Sequence, residues 1–276
     1  FLLYDTYGFP ADMTKEICEE NGVKADMDGF QKCMEEQKER ARAARDDIES
    51  FHKQSKDLLE FKTPSEFVYD QESLKAKVTG LFVDGNAVEE IEEEGDVAFD
   101  LTPFYAEMGG QVSDTGTLKN DSVFGTITRV GKAPAGQHLH HVHLQFGHLS
   151  VGEEVELALD SKRRHLIERN HSATHLLHAA ISEILGKHVE QKGSYCDENY
   201  LRFDFTSMDK LSSEDLNKIE ALVNEKIAES IPEETKILPV EEAKNLGAEM
   251  EFSEKYGSVV RVVCFEDFSK EFCAGT

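Results

Sequence analysis

The sequence predicts an α+β fold in three parts, because the spacing of its apolar residues changes twice along the chain. Spacings of three and four, typical of helices, give way to the alternation of strands and then return before further strands. We therefore expect a helical segment at 1–65, a small β-barrel at 66–160 and an α+β domain at 161–276.

The first part is predicted to be helical over 11–62. Asp12 or Thr14 can cap a short helix that ends near Asn21-Gly22, and an apolar stripe of helical period runs from Phe30 to Phe51. Pro64 is expected to end this part, because proline cannot continue the helical hydrogen-bond ladder.

The second part contains short β-like runs joined by turns. The predicted strands lie at 78–83, 97–101, 123–130, 138–144 and 155–159, with a tight turn at Asp84-Gly85-Asn86 and glycine-rich connections at Gly109-Gly110 and Gly116. Several short strands without an intervening helical pattern indicate a small barrel or a sandwich.

The third part opens with a long helix. Asp160 or Ser161 can cap it, and Gly186 is a natural residue to follow its last turn. The elements expected after it are strands at 189–195 and 200–205, a helix with a Ser212/Asp215 capping box, a short helix at 240–246 and a buried strand at 258–265.

Composition narrows the class of protein. The chain has no long apolar run, no basic segment followed by an apolar one, and five cysteines without a CxxC pair. These features predict a protein of the reducing cytoplasm with no membrane anchor and no disulfide framework. Because the chain opens on Phe1 and stops at Thr276, we expect it to be part of a longer protein.

The formal net charge of -25 argues against non-specific nucleic-acid binding, which depends on lysine and arginine replacing counterions. Any RNA contact must then use a local concentration of basic residues. Lys162, Arg163, Arg164 and Arg169 provide one beside a histidine pair.

That pair, His171 and His175, is four residues apart on the predicted long helix, so both imidazoles project from one face and can reach one metal ion. A pair of ordinary surface or core histidines is the alternative. No glutamate follows His171, which excludes the HExxH protease motif. Cys273, in a Phe-Cys-Ala-Gly-Thr turn, offers a thiolate.

In the run 138–143, strand alternation splits the histidines between two faces, so we do not expect a second metal site there.

Four segments resemble motifs of the alanyl-tRNA synthetase family of bacterial type, in the family's order. Residues 169–180 (RNHSATHLLHAA) resemble the first zinc motif of its editing domain, and 272–276 (FCAGT) resemble the second. Residues 104–116 are similar to the Gly-Gly-Gln loop of its barrel, and 3–10 (LYDTYGFP) to the end of its helical tRNA-recognition region. Threonyl-tRNA synthetases and free-standing editing proteins share the histidine and cysteine motifs, whereas 3–10 favours the alanyl enzyme.

The resemblance implies the editing part of an alanine–tRNA ligase, an aminoacyl-tRNA deacylase that hydrolyses mischarged seryl- or glycyl-tRNA(Ala). It implies Zn²⁺ bound by His171, His175, Cys273 and a further histidine just beyond Thr276. ATP, Mg²⁺ and the charging reaction are expected in a catalytic domain upstream, and the oligomerisation region downstream. The alternative is a zinc-stabilised tRNA-binding module without hydrolytic activity. Ala274 departs from the family's usual glycine.

The resemblance also assigns roles to other residues. Thr174 and Gln191 are implied to act in the amino-acid pocket, where a threonine hydroxyl can recognise a seryl hydroxyl that alanine lacks. The residues expected to bind the tRNA are Gly109, Gly110, Gln111, Arg202 and Asp204. The plainer interpretations are a Thr174 hydroxyl bonded to its own helix, an exposed Gln191, a simple glycine turn, and a structural Arg202–Asp204 pair.

Overall fold

The computed structural model describes residues 11–27, 29–34, 55–186, 189–207, 210–249 and 257–276. The chain divides between residues 54 and 55 into two compact units. In the first unit, α1 spans Ala11–Glu20 and ends near Asn21-Gly22 as predicted, but Asp12 and Thr14 lie inside the helix, so the predicted caps are wrong; residues 27 and 29–34 are also helical. Most of the predicted stripe from Phe30 to Phe51 and the whole of segment 3–10 lie outside the described residues.

The second unit begins with a short helix, α2 (Lys56–Glu60). The Ser55 side chain accepts a hydrogen bond from the Leu58 amide and caps it. The helix ends at Glu60, before the predicted stop at Pro64, and an extended Phe61 leads into the strands.

Eleven strands follow in the region 66–159, all within the described residues. They are β1 (Glu66–Phe67), β2 (Ser73–Val83), β3 (Asn86–Val88), β4 (Glu90–Ile91), β5 (Glu94–Phe99), β6 (Leu101–Thr102), β7 (Gly116–Lys119), β8 (Phe124–Lys132), β9 (His138–Phe146), β10 (Leu149–Ser150) and β11 (Glu154–Leu159). The predicted runs all correspond to strands, with ends that shift by a few residues.

Strand pairing closes this region into a six-stranded barrel, which settles the choice between barrel and sandwich. The strands run in the order β11-β7-β8-β9-β5-β2, and β11 pairs again with β2. The hairpin from β2 to β3 turns at Asp84 and Gly85, both of which have positive φ. The barrel's core contains fully buried residues that include Val97, Phe99 and Leu118.

The third region packs helices against two smaller sheets. Its elements are α3 (Ser161–Leu185), β12 (Gln191–Cys196), β13 (Leu201–Phe205), α4 (Ser213–Glu229), β14 (Glu233–Pro239), α5 (Val240–Asn245), β15 (Val259–Phe265) and β16 (Ser269–Phe272). Strands β12 and β13 form an antiparallel hairpin, and β15 lies between β14 and β16 in an antiparallel sheet. The fold class is therefore α+β, as predicted.

Two strands of this region were absent from the sequence prediction. Strand β14 is mostly exposed and rich in charge, so it lacks an apolar alternation. Strand β16 has only four residues, and its central Lys270 and Glu271 carry charge. The pairing partner β15 supplies the apolar side of both ladders, which is a tertiary feature.

The helix ends behave as their sequence signals predict. Asp160 accepts a hydrogen bond from the Arg163 amide at the start of α3, and Gly186 follows the last turn with φ of 101°. The Ser212/Asp215 capping box is present at α4. None of the helices within the described ranges has the length and apolar character needed to span a bilayer.

The histidine-rich strand β9 divides its side chains between two faces, as predicted. His138 and His140 are buried, whereas His141 and His143 are partly exposed. The His140 Nδ1 lies 3.0 Å from the Val97 carbonyl oxygen and its Nε2 lies 2.7 Å from the Thr102 hydroxyl. This pairing suits a neutral ring that donates from Nδ1 and accepts at Nε2. Burial lowers the pKa of His140 to about 4.

The neutral His140 predicts a loss of barrel stability in acid. Its folded pKa lies below the ordinary value of 6.5, so the unfolded chain binds the proton first as the pH falls. The stabilisation is present above pH 6.5 and is lost between pH 6.5 and 4. From pH 7 to pH 5, His140 alone should lower the free energy of unfolding by about 2 kcal/mol, measured by urea unfolding followed by circular dichroism.

The matched variants are His140→Gln and His165→Gln, the second at an exposed histidine. His140→Gln should lose about 2 kcal/mol less than the parent chain over the same pH interval, because the buried titrating group is gone. His165→Gln should behave as the parent does. An unchanged pH dependence in His140→Gln would contradict the assignment.

Candidate metal centre

Three metal-binding side chains meet where α3 faces the segment after β16. His171, His175 and Cys273 each offer one ligand atom, and these atoms lie within 4.8 Å of one another. The two rings stack with centroids 5.1 Å apart, and the Cys273 Sγ lies 3.3 Å from the His171 Nε2. Two imidazole nitrogens and a thiolate form a donor set that zinc favours. The structure thus brings the three predicted ligands together.

Hydrogen bonds to the far side of each ring set its tautomer. The His171 Nδ1 lies 2.6 Å from the Gln111 Oε1, and the His175 Nδ1 lies 2.8 Å from a Glu271 carboxylate oxygen. Both partners are acceptors, so each Nδ1 carries a proton and each Nε2 is left on the side of Cys273, where a metal ion would displace any second proton. The Nε2 atoms are therefore the ones available to a metal ion, an arrangement that also makes the rings better ligands.

Gln111 is almost fully buried, and its amide joins three separate segments. Its Oε1 accepts hydrogen bonds from the His171 Nδ1 and, at 3.1 Å, from the Thr276 backbone amide. Its Nε2 donates to the Thr276 hydroxyl over 2.7 Å. Because a backbone amide can only donate, the Thr276 contact fixes which end of the amide is the oxygen.

The preceding glycines deliver Gln111 to this position. Gly109 and Gly110 both have positive φ, which glycine adopts at little cost. A Cβ at Gly110 would overlap the Ser194 carbonyl on β12, whereas the space around Gly109 is open. The sequence expectation placed all three residues against tRNA. The structure buries Gln111 beside the three candidate metal ligands and exposes Gly109 most of the three, so the tRNA contacts stay a prediction.

Glu271 is the second supporting residue, and sequence reasoning missed it. Its carboxylate bonds His175 through one oxygen and the His178 Nδ1, 3.1 Å away, through the other. It precedes Cys273 by two residues, and this separation was the only signal in the sequence. The spacing places both side chains on one side of an extended chain.

The electrostatics of the cluster favour a thiolate. Burial alone would raise the pKa of Cys273, but the His171 and His175 rings outweigh it and hold the pKa well below its usual value. Burial would lower the pKa of His175, yet the Glu271 carboxylate and the Cys273 sulfur raise it to about 10. Burial opposes ionisation of Glu271, but His175 and His178 bring its pKa to about 2. A thiolate is the form of cysteine that binds metals.

The segment from Cys273 to Thr276 is held on both sides. Arg261 accepts a hydrogen bond at its carbonyl from the Cys273 amide and donates from its guanidinium to the Cys273 carbonyl. The Tyr69 hydroxyl donates to the Ala274 carbonyl over 3.0 Å. A Cβ at Gly275 would overlap the His171 ring, so this position requires glycine for close approach.

The remaining predicted residues lie outside this network. The Thr174 hydroxyl donates to the Asn170 carbonyl of its own helix over 2.9 Å, which is the plainer of the two interpretations. Gln191 is half-buried on β12, and within the described ranges its side chain makes no hydrogen bond to the metal centre. Arg202 and Asp204 form an exposed ion pair at 3.1 Å on β13.

The basic residues near the start of α3 divide into two kinds. Arg164 is buried and forms a bidentate ion pair with Asp114 of the barrel, and Arg163 binds the Ser113 carbonyl. Lys162 and Arg169 are exposed. Arg169 lines a cleft of about 740 Å³ that also reaches Thr276. Half of the predicted basic cluster therefore supports the fold.

Comparison with known proteins places this architecture in a family. A family model described as tRNA synthetases class II (A) matches residues 1–163, more than half of the chain. The chain belongs to that family. The region matched by the family model ends before His171, so the candidate metal centre rests on its own geometry.

Those relatives carry a more specific name. The class II (A) chain is 46% identical to the alanine–tRNA ligase of Bacillus anthracis, 47% to that of Bacillus cytotoxicus and 45% to that of Geobacillus thermodenitrificans. Each alignment covers 100% of this chain and 32% of the relative. The chain thus spans about a third of the length of the curated relatives it matches.

Replacing the Gln111 amide in this class II (A) chain should weaken metal binding. Gln111→Met keeps the length of the side chain but removes the acceptor for the His171 Nδ1 and the contacts to Thr276. We expect a 10- to 100-fold lower Zn²⁺ affinity, measured by competition with a chromogenic chelator. Gln145→Met, at an exposed glutamine of the barrel, is the control and should bind as the parent does. Equal affinities for the two variants would contradict the role of Gln111.

Gly275→Ala should disturb the same centre by steric overlap. The added methyl group collides with the His171 ring, so either the ring or the terminal segment must move. We expect at least a 10-fold loss of Zn²⁺ affinity, because small displacements of supported ligands cost this much. Gly257→Ala introduces a Cβ whose nearest neighbour is 3.8 Å away and serves as the control. Normal affinity in Gly275→Ala would show that the turn can relax.

Proposed function

We propose that this chain is the editing part of an alanine–tRNA ligase and hydrolyses mischarged seryl- or glycyl-tRNA(Ala) at a zinc-containing site. The observation that carries the proposal is the cluster of His171, His175 and Cys273, with a buried acceptor at the Nδ1 of each imidazole that leaves Nε2 for a metal ion. The tRNA and its amino acid are inferred from the relatives, which are alanine–tRNA ligases.

The residues fit zinc by the chemistry of their donors. His171 and His175 would bind through Nε2 and Cys273 through its thiolate, and the expected fourth ligand is a histidine that follows Thr276. When bound, zinc would supply a Lewis acid beside the ester or a positive charge that holds the substrate's amino group. The buried Gln111 and Glu271 would keep the ligands in position whichever of these applies.

In the proposed reaction, a water oxygen bonds to the ester carbonyl carbon. The bond from that carbon to the ribose oxygen breaks, and the ribose oxygen takes a proton, which releases serine or glycine and free tRNA. Gln191 is a neutral amide without a hydrogen-bond partner within the described ranges, so it is available to orient the water or the carbonyl.

Thr174 can select the amino acid despite its bond to Asn170. Its hydroxyl donates to that carbonyl, but the oxygen lone pairs can still accept a hydrogen bond from the seryl hydroxyl. Alanine has no hydroxyl with which to make this contact. Sites built around such a bond reject the analogue that lacks it.

For the tRNA, we propose contacts at exposed positions. Gly109 leaves open space above its backbone, and the Arg202–Asp204 pair lies on the surface of β13. Lys162 and Arg169 add exposed positive charge near the start of α3. Because the chain carries a net charge of -25, we expect only these local positions to attract phosphates.

We place this activity in the cytoplasm and divide the chain as before, into 1–65 from the tRNA-recognition region, 66–160 for the barrel and 161–276 for editing. Charging with ATP and Mg²⁺, and oligomerisation, we assign to the parts of the relatives' length that this chain does not span.

Deacylation of seryl-tRNA(Ala) tests the proposal. His171→Ala should abolish zinc binding and hydrolysis together, because it removes a ligand. Gln191→Ala should lower the hydrolysis rate about 10-fold or more while zinc content stays normal, since its amide supports the reaction without binding the metal. Arg202→Ala should weaken tRNA binding only.

The competing function is a zinc-stabilised tRNA-binding module. It is favoured by the way the cluster joins α3, the segment after β16 and the barrel loop, as structural metals do. Under that function His171→Ala would lower the melting temperature and tRNA affinity, and the parent chain would show no deacylation above the uncatalysed rate. Hydrolysis of seryl-tRNA(Ala) by a metal-free His171→Ala chain would contradict both the editing function and the binding-module function.

A further inference from the structure

A second group of metal-binding side chains lies on the outer face of the barrel, on residues that the proposed editing function does not use. Strands β5 and β9 are antiparallel neighbours, with Glu94 opposite His143 and Asp96 opposite His141. His141 and His143 are two apart on one strand, so their rings project from the same side. Directly opposed side chains on neighbouring strands are close enough to bind the same metal ion.

The distances fit a chelate. The Glu94 carboxylate places one oxygen 2.8 Å from the His141 Nε2 and the other 3.2 Å from the His143 Nδ1. The two rings are perpendicular, with centroids 5.0 Å apart. One ligand atom from each of the three residues lies within 4.8 Å of the other two. Small rotations of partly exposed side chains are enough to separate these atoms around an ion.

Asp96 supplies the supporting contact that ligand histidines need. Its carboxylate lies 2.9 Å from the His141 Nδ1, and its side chain is only 17% exposed. Both ring nitrogens therefore face carboxylate oxygens and donate protons to them, and a metal ion would displace the Nε2 proton while Asp96 holds the one on Nδ1. This carboxylate–histidine arrangement resembles the Glu271–His175 contact of the first centre and is independent of it.

We propose that Glu94, His141 and His143 form a peripheral site for a divalent transition metal such as Zn²⁺. Two imidazoles and one carboxylate suit first-row transition metals, whereas Ca²⁺ and Mg²⁺ prefer oxygen ligands throughout. The carboxylates of Glu94 and Asp96 offset the ion's charge. Arg129 lies opposite His141 on β8 and adds one positive charge beside them. Water would complete the coordination on the exposed side.

Metal at this site would bridge β5 and β9 across their ladder. The ion binds only when the two strands are in register, so binding stabilises the barrel by mass action. The site needs no RNA and no editing ligand, and it remains when the first centre is removed. That independence makes it testable apart from the editing function.

The test uses the chain with His171→Ala and Cys273→Ser, which disables the first centre. Isothermal titration with ZnCl₂ should show one remaining equivalent, and saturating Zn²⁺ should raise the melting temperature. Adding His143→Ala should weaken that binding at least 10-fold. Glu94→Gln, which keeps the size of the side chain and removes its charge, should also weaken it.

His148→Ala is the matched control, because it removes an exposed barrel histidine 3.9 Å from Glu90 without touching the three ligands. It should leave the titration unchanged, and circular dichroism should show every variant folded. No zinc binding by the background chain would overturn the proposal. So would unchanged affinity after both His143→Ala and Glu94→Gln, which would assign the residual binding to other histidines.

Discussion

The buried amide of Gln111 is the contact on which the arrangement of the candidate metal centre depends. It belongs to the barrel, yet its oxygen holds His171 of α3 and its two ends hold Thr276. Displacing a buried amide whose oxygen and nitrogen are both hydrogen-bonded is costly, because each lost bond leaves a buried polar group with no partner, not even water. Ring orientation, tautomer and the path of the terminal segment are consequently fixed together.

A second buried contact keeps the two parts in position. Arg164 of α3 reaches Asp114 of the barrel and also donates to the Pro103 carbonyl. Both partners of the ion pair are almost fully buried. Removing one alone would strand a charge in an apolar setting, so the pair favours one relative placement of barrel and helix. Basic residues near a candidate RNA site can thus have a structural role.

Features set by neighbouring residues could be predicted from the sequence, whereas contacts between residues far apart in the chain could not. The helix from 161, its cap at Asp160 and the four-residue spacing of the histidines follow from periodicity and capping, and the structure has them. Cys273 was predicted as a metal ligand from the glycine-containing turn around it and from the family resemblance. Gln111 and Glu271 are joined to their histidines across 60 and 96 residues, a separation at which no local pattern operates. Glu94 could not be predicted as a ligand for the same reason, because only the pairing of β5 with β9 brings it opposite His143.

Residue 160 has a consequence for how this chain can vary. Strand β11 ends at Leu159 and α3 begins at Ser161, so a single residue both leaves the barrel and caps the helix. There is no linker to absorb a change of length. Inserting one residue would rotate α3 by about 100° relative to the barrel and turn His171 away from Gln111. Natural variants should therefore conserve the length of this junction while exchanging Asp160 for serine, threonine or asparagine.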